Sequence, residues 1–180
     1  MPKILAQQTD IAWLPKPSEL TLVATSELPD LALCTTAFVL AFDGDNLLMA
    51  DQNRGIDIPG GHIDPGEAPE AAMRREAKEE TGATIGAATL FAVQKATVKG
   101  PKPEGYRYPY PDSYQLIYIS TSITPGTFTT DEDSRGAVMI APSQAASVPW
   151  IENNRALYDY ALNIARQASR PAPPAPGNKP

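Results

Sequence analysis

Residues 72–83 read AMRREAKEETGA and place three glutamates, Glu76, Glu79 and Glu80, within five positions. On a helix, at about 100° per residue, the three fall within a ~100° sector, while Glu70, Arg74 and Lys78 point roughly the other way. Like charges three and four residues apart destabilise a helix by about 0.2–0.5 kcal/mol per pair. Such a cluster is stable when a cation sits in it or when some members hold protons. A hard divalent cation suits it: Mg²⁺ takes oxygen ligands, keeps several waters and is commonly shared with substrate phosphates. The competing reading is a plain charged surface helix. The opposite face is an ordinary solvated one with Glu70 and Arg74 as a favourable i,i+4 pair. Ala71, Ala72, Met73 and Ala77 are small or adaptable enough to let the helix approach a sheet closely.

The residues upstream decide between the two readings. From Gly61 the chain runs five residues to Glu67, then seven residues to REAKEETGA. This spacing resembles the Nudix box, G-x5-E-x7-R-E-U-x-E-E-x-G-U with U a bulky aliphatic residue, at Gly61, Glu67, Arg75, Glu76, Glu79, Glu80 and Gly82. At about 7% usage per residue, chance gives on the order of one such match in a million. The departures are at the two aliphatic positions, Ala77 and Ala83.

The resemblance implies a hydrolase of nucleoside diphosphates linked to another group, dependent on Mg²⁺ or Mn²⁺. It implies a catalytic set of Glu76, Glu79, Glu80 and Arg75, with the three glutamates on the metal, joined by the backbone of Gly61. Arg75 matches the arginine that holds a glutamate by a bidentate contact. Glu67 matches the first glutamate of the box, a supporting residue behind the ligands. His62, the single histidine, lies in PGGH, which looks like a common variant of the family's loop rather than a catalytic feature. Within TTDEDS, Glu132 is a candidate further ligand or base, set against a solvated acidic loop.

The surrounding sequence supplies elements to position these groups. LALCTTAFVLAF (31–42) is a β-branched and aromatic run expected as a buried central strand, with DGDN as a turn and LLMA as the return arm. The Gly- and Pro-dense stretch 54–70 is expected as loop or very short strands. A helix is expected over about 69–81, with Pro69 in its first turn and Gly82 at its end. Residues 88–98, 113–123 and GAVMIAP are expected as strands. Ala156, Leu157, Tyr160, Ala161 and Ile164 recur at helical spacing and predict an amphipathic helix over about 152–168. The expected fold class is α/β: by resemblance, a Nudix-type α/β/α sandwich with a mixed sheet. Residues 1–30 are read as an N-terminal arm with one short strand around LTLVAT, 31–167 as the Nudix hydrolase domain, and 168–180 as a Pro-rich disordered tail.

Composition narrows the class further. Among 180 residues, 15 are basic and 21 acidic, for a net charge of −6. No basic stripe exists to neutralise a nucleic-acid backbone, so duplex DNA or RNA is disfavoured. A bound metal can still reverse the local sign for a small phosphorylated ligand. No run has signal-peptide or membrane-spanning character, so a cytoplasmic protein with no membrane partner is expected. Cys34, the single cysteine, lies in the apolar strand run and is expected to behave as a small buried hydrophobe.

The substrate is written less clearly. GPKPEGYRYPYPDSY (100–114) gathers Tyr106, Tyr108, Tyr110 and Tyr114 beside Arg107. Tyr106, Tyr108 and Tyr110 could stack on a nucleobase with Arg107 near phosphate. Alternatively, the segment stiffens a long connection or covers the partner in a homodimer. By elimination a nucleoside triphosphate, oxidised or non-standard ones included, leads; dinucleoside polyphosphates, nucleotide sugars and ADP-ribose follow. Two other classes compete: a non-catalytic nucleotide sensor, which usually shows a damaged box, and an isopentenyl diphosphate isomerase, which shares the fold and pairs a catalytic cysteine with a glutamate.

Overall fold

The structure, a computed structural model, describes residues 3–129 and 134–169. Eleven strands are described: β1 (Lys3–Thr9), β2 (Ser18–Ala24), β3 (Cys34–Asp43), β4 (Asn46–Gln52), β5 (Gly55–Asp57), β6 (Gly60–His62), β7 (Thr84–Ile85), β8 (Ala88–Val98), β9 (Asp112–Ser120), β10 (Ile123–Thr124) and β11 (Ser134–Ile140). The helices are α1 (Pro69–Thr81), α2 (Pro149–Asn153) and α3 (Arg155–Ala168).

Among the described residues, nine strands form one sheet in the order β1-β2-β8-β9-β3-β4-β11, with β5 added to β4 and β6 to β3. The β3–β9 pair is parallel, and the others in this sheet are antiparallel, so the sheet is mixed. A two-residue pair, β7 with β10, stands apart. Apolar side chains alternate along β3. Ala37, Val39 and Ala41 pack with Ala72, Met73 and Ala77 of α1. Leu40 and Phe42 pack with Leu157, Tyr158, Ala161 and Leu162 of α3. The period of two thus gives each sheet face its own helical layer, an α/β/α sandwich.

The expected helix over 69–81 has those bounds. Pro69 occupies its first turn, and Gly82 closes it at φ 71°, its N–H donating to the Lys78 carbonyl at 2.9 Å. A Cβ on Gly82 would also lie 2.9 Å from the Thr127 carbonyl, so glycine is required both by conformation and by space. The two departures from a bulky aliphatic, Ala77 and Ala83, are fully buried, which draws the helix close to the sheet. Arg74 pairs with Glu70 at 2.6 Å as expected, but it also donates to the carbonyls of Ile85 and Gly86, tying α1 to the segment beyond it.

Three expectations change. The N-terminal arm supplies two strands rather than one: β1 extends the sheet by pairing with β2, which pairs with β8. Its alternation is weak because β1 is an exposed edge. The C-terminal helix is divided into α2 and α3 at Asn154, whose side chain donates to the Trp150 carbonyl at 2.8 Å and so competes with the regular backbone pattern. Cys34 sits at the start of β3, half-buried, with its Sγ 3.5 Å from the Asp30 carbonyl. No helix among the described residues is long and apolar enough to cross a membrane.

Candidate active site

The glutamate-bearing flank of α1 faces β6, which pairs with β3 through Thr36↔His62, Ala37↔Gly61 and Phe38↔Gly60. Gly60 has φ 143°, and a Cβ there would collide with the Ala37 and Phe38 backbone. A Cβ on Gly61 would stand 2.6–2.7 Å from all three carboxylate atoms of Glu76. The glycine backbone is therefore pressed directly against the Glu76 carboxylate. Any side chain there would fill the space beside it.

Arg75 organises the solvent side of this contact. Its Nε and Nη2 donate to the two oxygens of Glu67 at 3.0 and 2.9 Å, a bidentate fork. Nη1 donates to Glu76 at 2.8 Å and to Glu79 at 3.3 Å, and Nη2 also donates to the His62 carbonyl at 3.1 Å. These carboxylates hold the Arg75 guanidinium firmly charged. In return, Arg75 and the Asp64 backbone N–H hold the Glu67 carboxyl below its usual range. Glu79, with its side chain 60% exposed, lies at the open end of this network.

Glu80 turns inward. It accepts from the Gly60 N–H at 3.0 Å and from the Gln52 amide. Burial, followed by the nearby Glu76 charge, pushes its carboxyl up to about 7, against the Gly60 N–H, Arg54 and Gln52, which pull it down. The three glutamates expected to converge are thus divided: Glu76 and Glu79 on Arg75, Glu80 on the glycine loop. Among the described residues, no three acidic, histidine or cysteine side chains come together as a ready-made metal cage.

Glu76 and Glu80 line a cleft of about 500 Å³, together with Gly60, Gly61 and Arg54. That volume lies in the range of sites that bury most of a small ligand. Of the expected substrate contacts, Tyr106 and Tyr108 line the cleft, in edge contact with centroids 5.7 Å apart. The Tyr108 hydroxyl lies 3.2 Å from His62 Nε2, with the two rings stacked. Arg107 and Tyr110 are not among the lining residues. Tyr110 instead donates its hydroxyl to the Gly100 carbonyl at 2.6 Å and braces its own loop. Glu132 lies outside the described residues.

Sequence reasoning missed Gln52 and Arg54, which approach Glu80 from the end of β4 and the turn after it. No local pattern marks them, because their role arises from pairing across the fold. It also missed Thr36 and Gln115, which line the cleft. A signal existed there: both are polar residues inside otherwise apolar strand runs.

A model of the NUDIX domain matches residues 32–161. Among curated proteins, the chain is 28% identical over 159 residues to the NAD-capped RNA hydrolase NudC of Stutzerimonas stutzeri (strain A1501), covering 81% of this chain and 49% of that protein. It is 45% identical over 47 residues to a Bacillus subtilis (strain 168) protein provisionally named 8-oxo-dGTP diphosphatase YtkD, covering 26% of this chain and 30% of that one. The chain thus spans about half the length of the first relative and under a third of the second. Its fold is similar to that of the Bacillus subtilis pyrophosphohydrolase BsRppH, with a TM-score of 0.65, 19% identity and coverage of 91% of this chain and 98% of that one. The mutator MutT protein of Bacillus halodurans gives a TM-score of 0.53 at 19% identity, covering 73% and 83%. A glycine loop pressed on a glutamate helix, in a mixed α/β sandwich that the family model spans from β3 to α3, has one consistent reading: this chain belongs to the Nudix hydrolase family.

Proposed function

We propose that this chain hydrolyses a nucleoside diphosphate linked to another group, with a nucleoside triphosphate, oxidised or non-standard ones included, as the leading substrate and a monophosphate and pyrophosphate as products. The observation that carries the reading is the Glu76 carboxylate held against the Gly61 backbone in the cleft, with Glu80 desolvated beside it. Of the two curated relatives, one is named for 8-oxo-dGTP and the other for NAD-capped RNA, so they differ in substrate.

The residues present fit a divalent cation. The side-chain-free surface of Gly61 leaves its backbone beside a carboxylate, and the desolvation burden on Glu80 is the kind that a cation relieves. Glu76, Glu79, Glu80 and the Gly61 backbone would hold Mg²⁺ or Mn²⁺, whose chemistry when bound is to neutralise charge on the diphosphate and to acidify water. Arg75 fixes Glu76 through a fork anchored on Glu67, so the carboxylate is oriented before any ligand arrives. Gly60 donates its N–H to Glu80 and fixes that side chain on the loop. The aromatic residues beyond His62 give the remainder of the substrate its surface.

Cys34 supports no competing chemistry. Burial, then the Asp30 charge, pushes its thiol up to about 11, which suppresses the nucleophilic thiolate, and it does not line the cleft. The isomerase reading therefore has no observation in its favour.

The test is a panel of nucleoside triphosphates, oxidised dNTPs, dinucleoside polyphosphates, ADP-ribose and nucleotide sugars, incubated with Mg²⁺ and then Mn²⁺, with products resolved by chromatography. Metal-dependent release of a nucleoside monophosphate, lost in Glu76→Gln, is expected. Binding of nucleotides without turnover of any of them would replace the reading with a sensor.

A further inference from the structure

Resting on that reading, the structure assigns the aromatic-lined part of the cleft as a nucleobase-binding subsite, with Trp13, Tyr106 and Tyr108 as stacking surfaces and Thr36, Ser113 and Gln115 as the groups that read the base edge. None of Trp13, Thr36, Ser113 or Gln115 belongs to the glutamate helix or its glycine loop, yet all line the same cleft as Glu76 and Gly61.

The polar floor follows from the sheet. On the face that α3 covers, Leu40 and Phe42 of β3 and Ile117 and Ile119 of β9 are core. Two-residue alternation continues that face backwards along the same strands to Thr36 and Phe38, and to Ser113 and Gln115. Thr36 and Gln115 are register partners. The face therefore changes from apolar to hydrogen-bonding where the helix ends and the cleft begins. The Thr36 hydroxyl is buried, and it is one of only two buried side-chain polar atoms without a hydrogen-bond partner among the described residues. A buried, unpaired hydroxyl carries a desolvation cost that no protein partner offsets. In this cleft a ligand atom relieves that cost.

The aromatic wall has its own support. In the turn between β1 and β2, Ile11 and Leu14 are buried against Leu20 and Ala96, while Trp13 between them is 59% exposed. The turn is braced: the Asp10 N–H donates to the Ser18 carbonyl at 2.8 Å and the Ile11 N–H to Ser18 Oγ at 3.1 Å. A large indole is thus held out of the core by a fixed backbone. The tyrosine segment after β8 starts beside it, because the Lys99 N–H donates to the Pro17 carbonyl at 2.8 Å. Two connections joined to each other bring aromatic rings to one cleft, above groups able both to donate and to accept.

A planar heteroaromatic ring matches this combination. An aliphatic chain would leave Thr36 and Gln115 unpaired, and sites built to hydrogen-bond reject such ligands strongly.

The chain has two tryptophans, so Trp150→Phe leaves Trp13 as a single fluorescent reporter. Titration with α,β-methylene nucleoside triphosphates, which resist cleavage at that linkage, is expected to quench it saturably, whereas inorganic tripolyphosphate is expected to leave it unchanged. In turnover assays, Trp13→Ala is expected to raise KM for nucleotides about tenfold, with kcat changing less. Thr36→Val should raise KM less and alter the ranking of bases. Equal quenching by tripolyphosphate, or nucleotide turnover with KM unchanged in both variants, overturns the subsite while leaving the hydrolase reading standing. Saturable base-dependent quenching in a protein that cleaves nothing in the panel supports the subsite and defeats the hydrolase reading.

Discussion

Helices α1 and α3 cover opposite faces of one sheet with different materials. The residues α1 buries are mostly small, Ala72 and Ala77 with Met73, Pro69 and Thr81. Its outer surface is tied down by Arg75 to Glu67, Glu76 and Glu79, and by Arg74 to two backbone carbonyls. The α3 helix buries Leu157, Tyr158, Leu162, Ala161 and Ala165, and its Arg166–Asp45 pair lies in solvent. Small residues remove little apolar area from water, but they let a helix axis approach the sheet. That approach is what puts the Glu76 carboxylate on the Gly61 backbone. Large residues on α3 do the opposite: they supply apolar burial and position no polar group at the cleft. On the proposed reading, one helix is placed for chemistry and the other for stability, and substitutions should separate the two.

The largest effect is expected on the α1 side. Glu76→Gln or Glu80→Gln should lower kcat/KM by about 10³-fold, roughly 4 kcal/mol of transition-state stabilisation. Thermal unfolding of Glu80→Gln should show a fold as stable as wild type, or more so, since a desolvated charge has gone. Either variant retaining wild-type turnover would sink the assignment. On α3, Leu157→Ala should cost about 2–5 kcal/mol in urea unfolding, with kcat/KM per folded molecule unchanged. A loss of activity in molecules shown to be folded would mean that α3 also shapes the site.

Metal should act on one helix only. At 100 times its Kd, Mn²⁺ is expected to stabilise wild type by about 2.7 kcal/mol, read as a raised Tm. Glu76→Gln should show little of this shift, and Leu157→Ala all of it from a lower baseline. Equal shifts in all three proteins would place the ion elsewhere.

The smallest effect is expected at Arg166. The Arg166 hydrogen bond holds the Asp45 carboxyl below its usual range. A depressed carboxyl pKa contributes stability above its unfolded value and loses it as pH falls through the folded one. Exposure and salt screening make that contribution small. Arg166→Ala should therefore barely change Tm at neutral pH, and the two proteins' curves should merge below the ordinary aspartate range. A growing difference on acidification would contradict the sign.

How much was legible follows the range of each interaction. Both ends of α1 were, since Pro69 and Gly82 act through local backbone conformation, and so was the shared flank of Glu76 and Glu80, which needs only the helical period. The strands over residues 34–52 and 88–98 announced themselves by composition. What escaped were β1, the β7–β10 pair and the break at Asn154, each too short, too exposed or too dependent on a neighbour to leave a periodic signal. Among the tyrosines, composition marked the segment but not which rings face the cleft.

The family spacing, the helix that carries the glutamates and the need for glycine at its end are written in the chain alone, because each is a matter of residue order and conformation within a few bonds. It takes the folded chain to show that Arg75 gathers Glu67 with Glu76 and Glu79, that Glu80 is buried against Gly60 and Gln52, and that Trp13 from the first hairpin lines the cleft with Glu76. Those contacts join residues brought together by strand pairing and helix packing. Their energies depend on burial and distance, which no stretch of sequence carries alone.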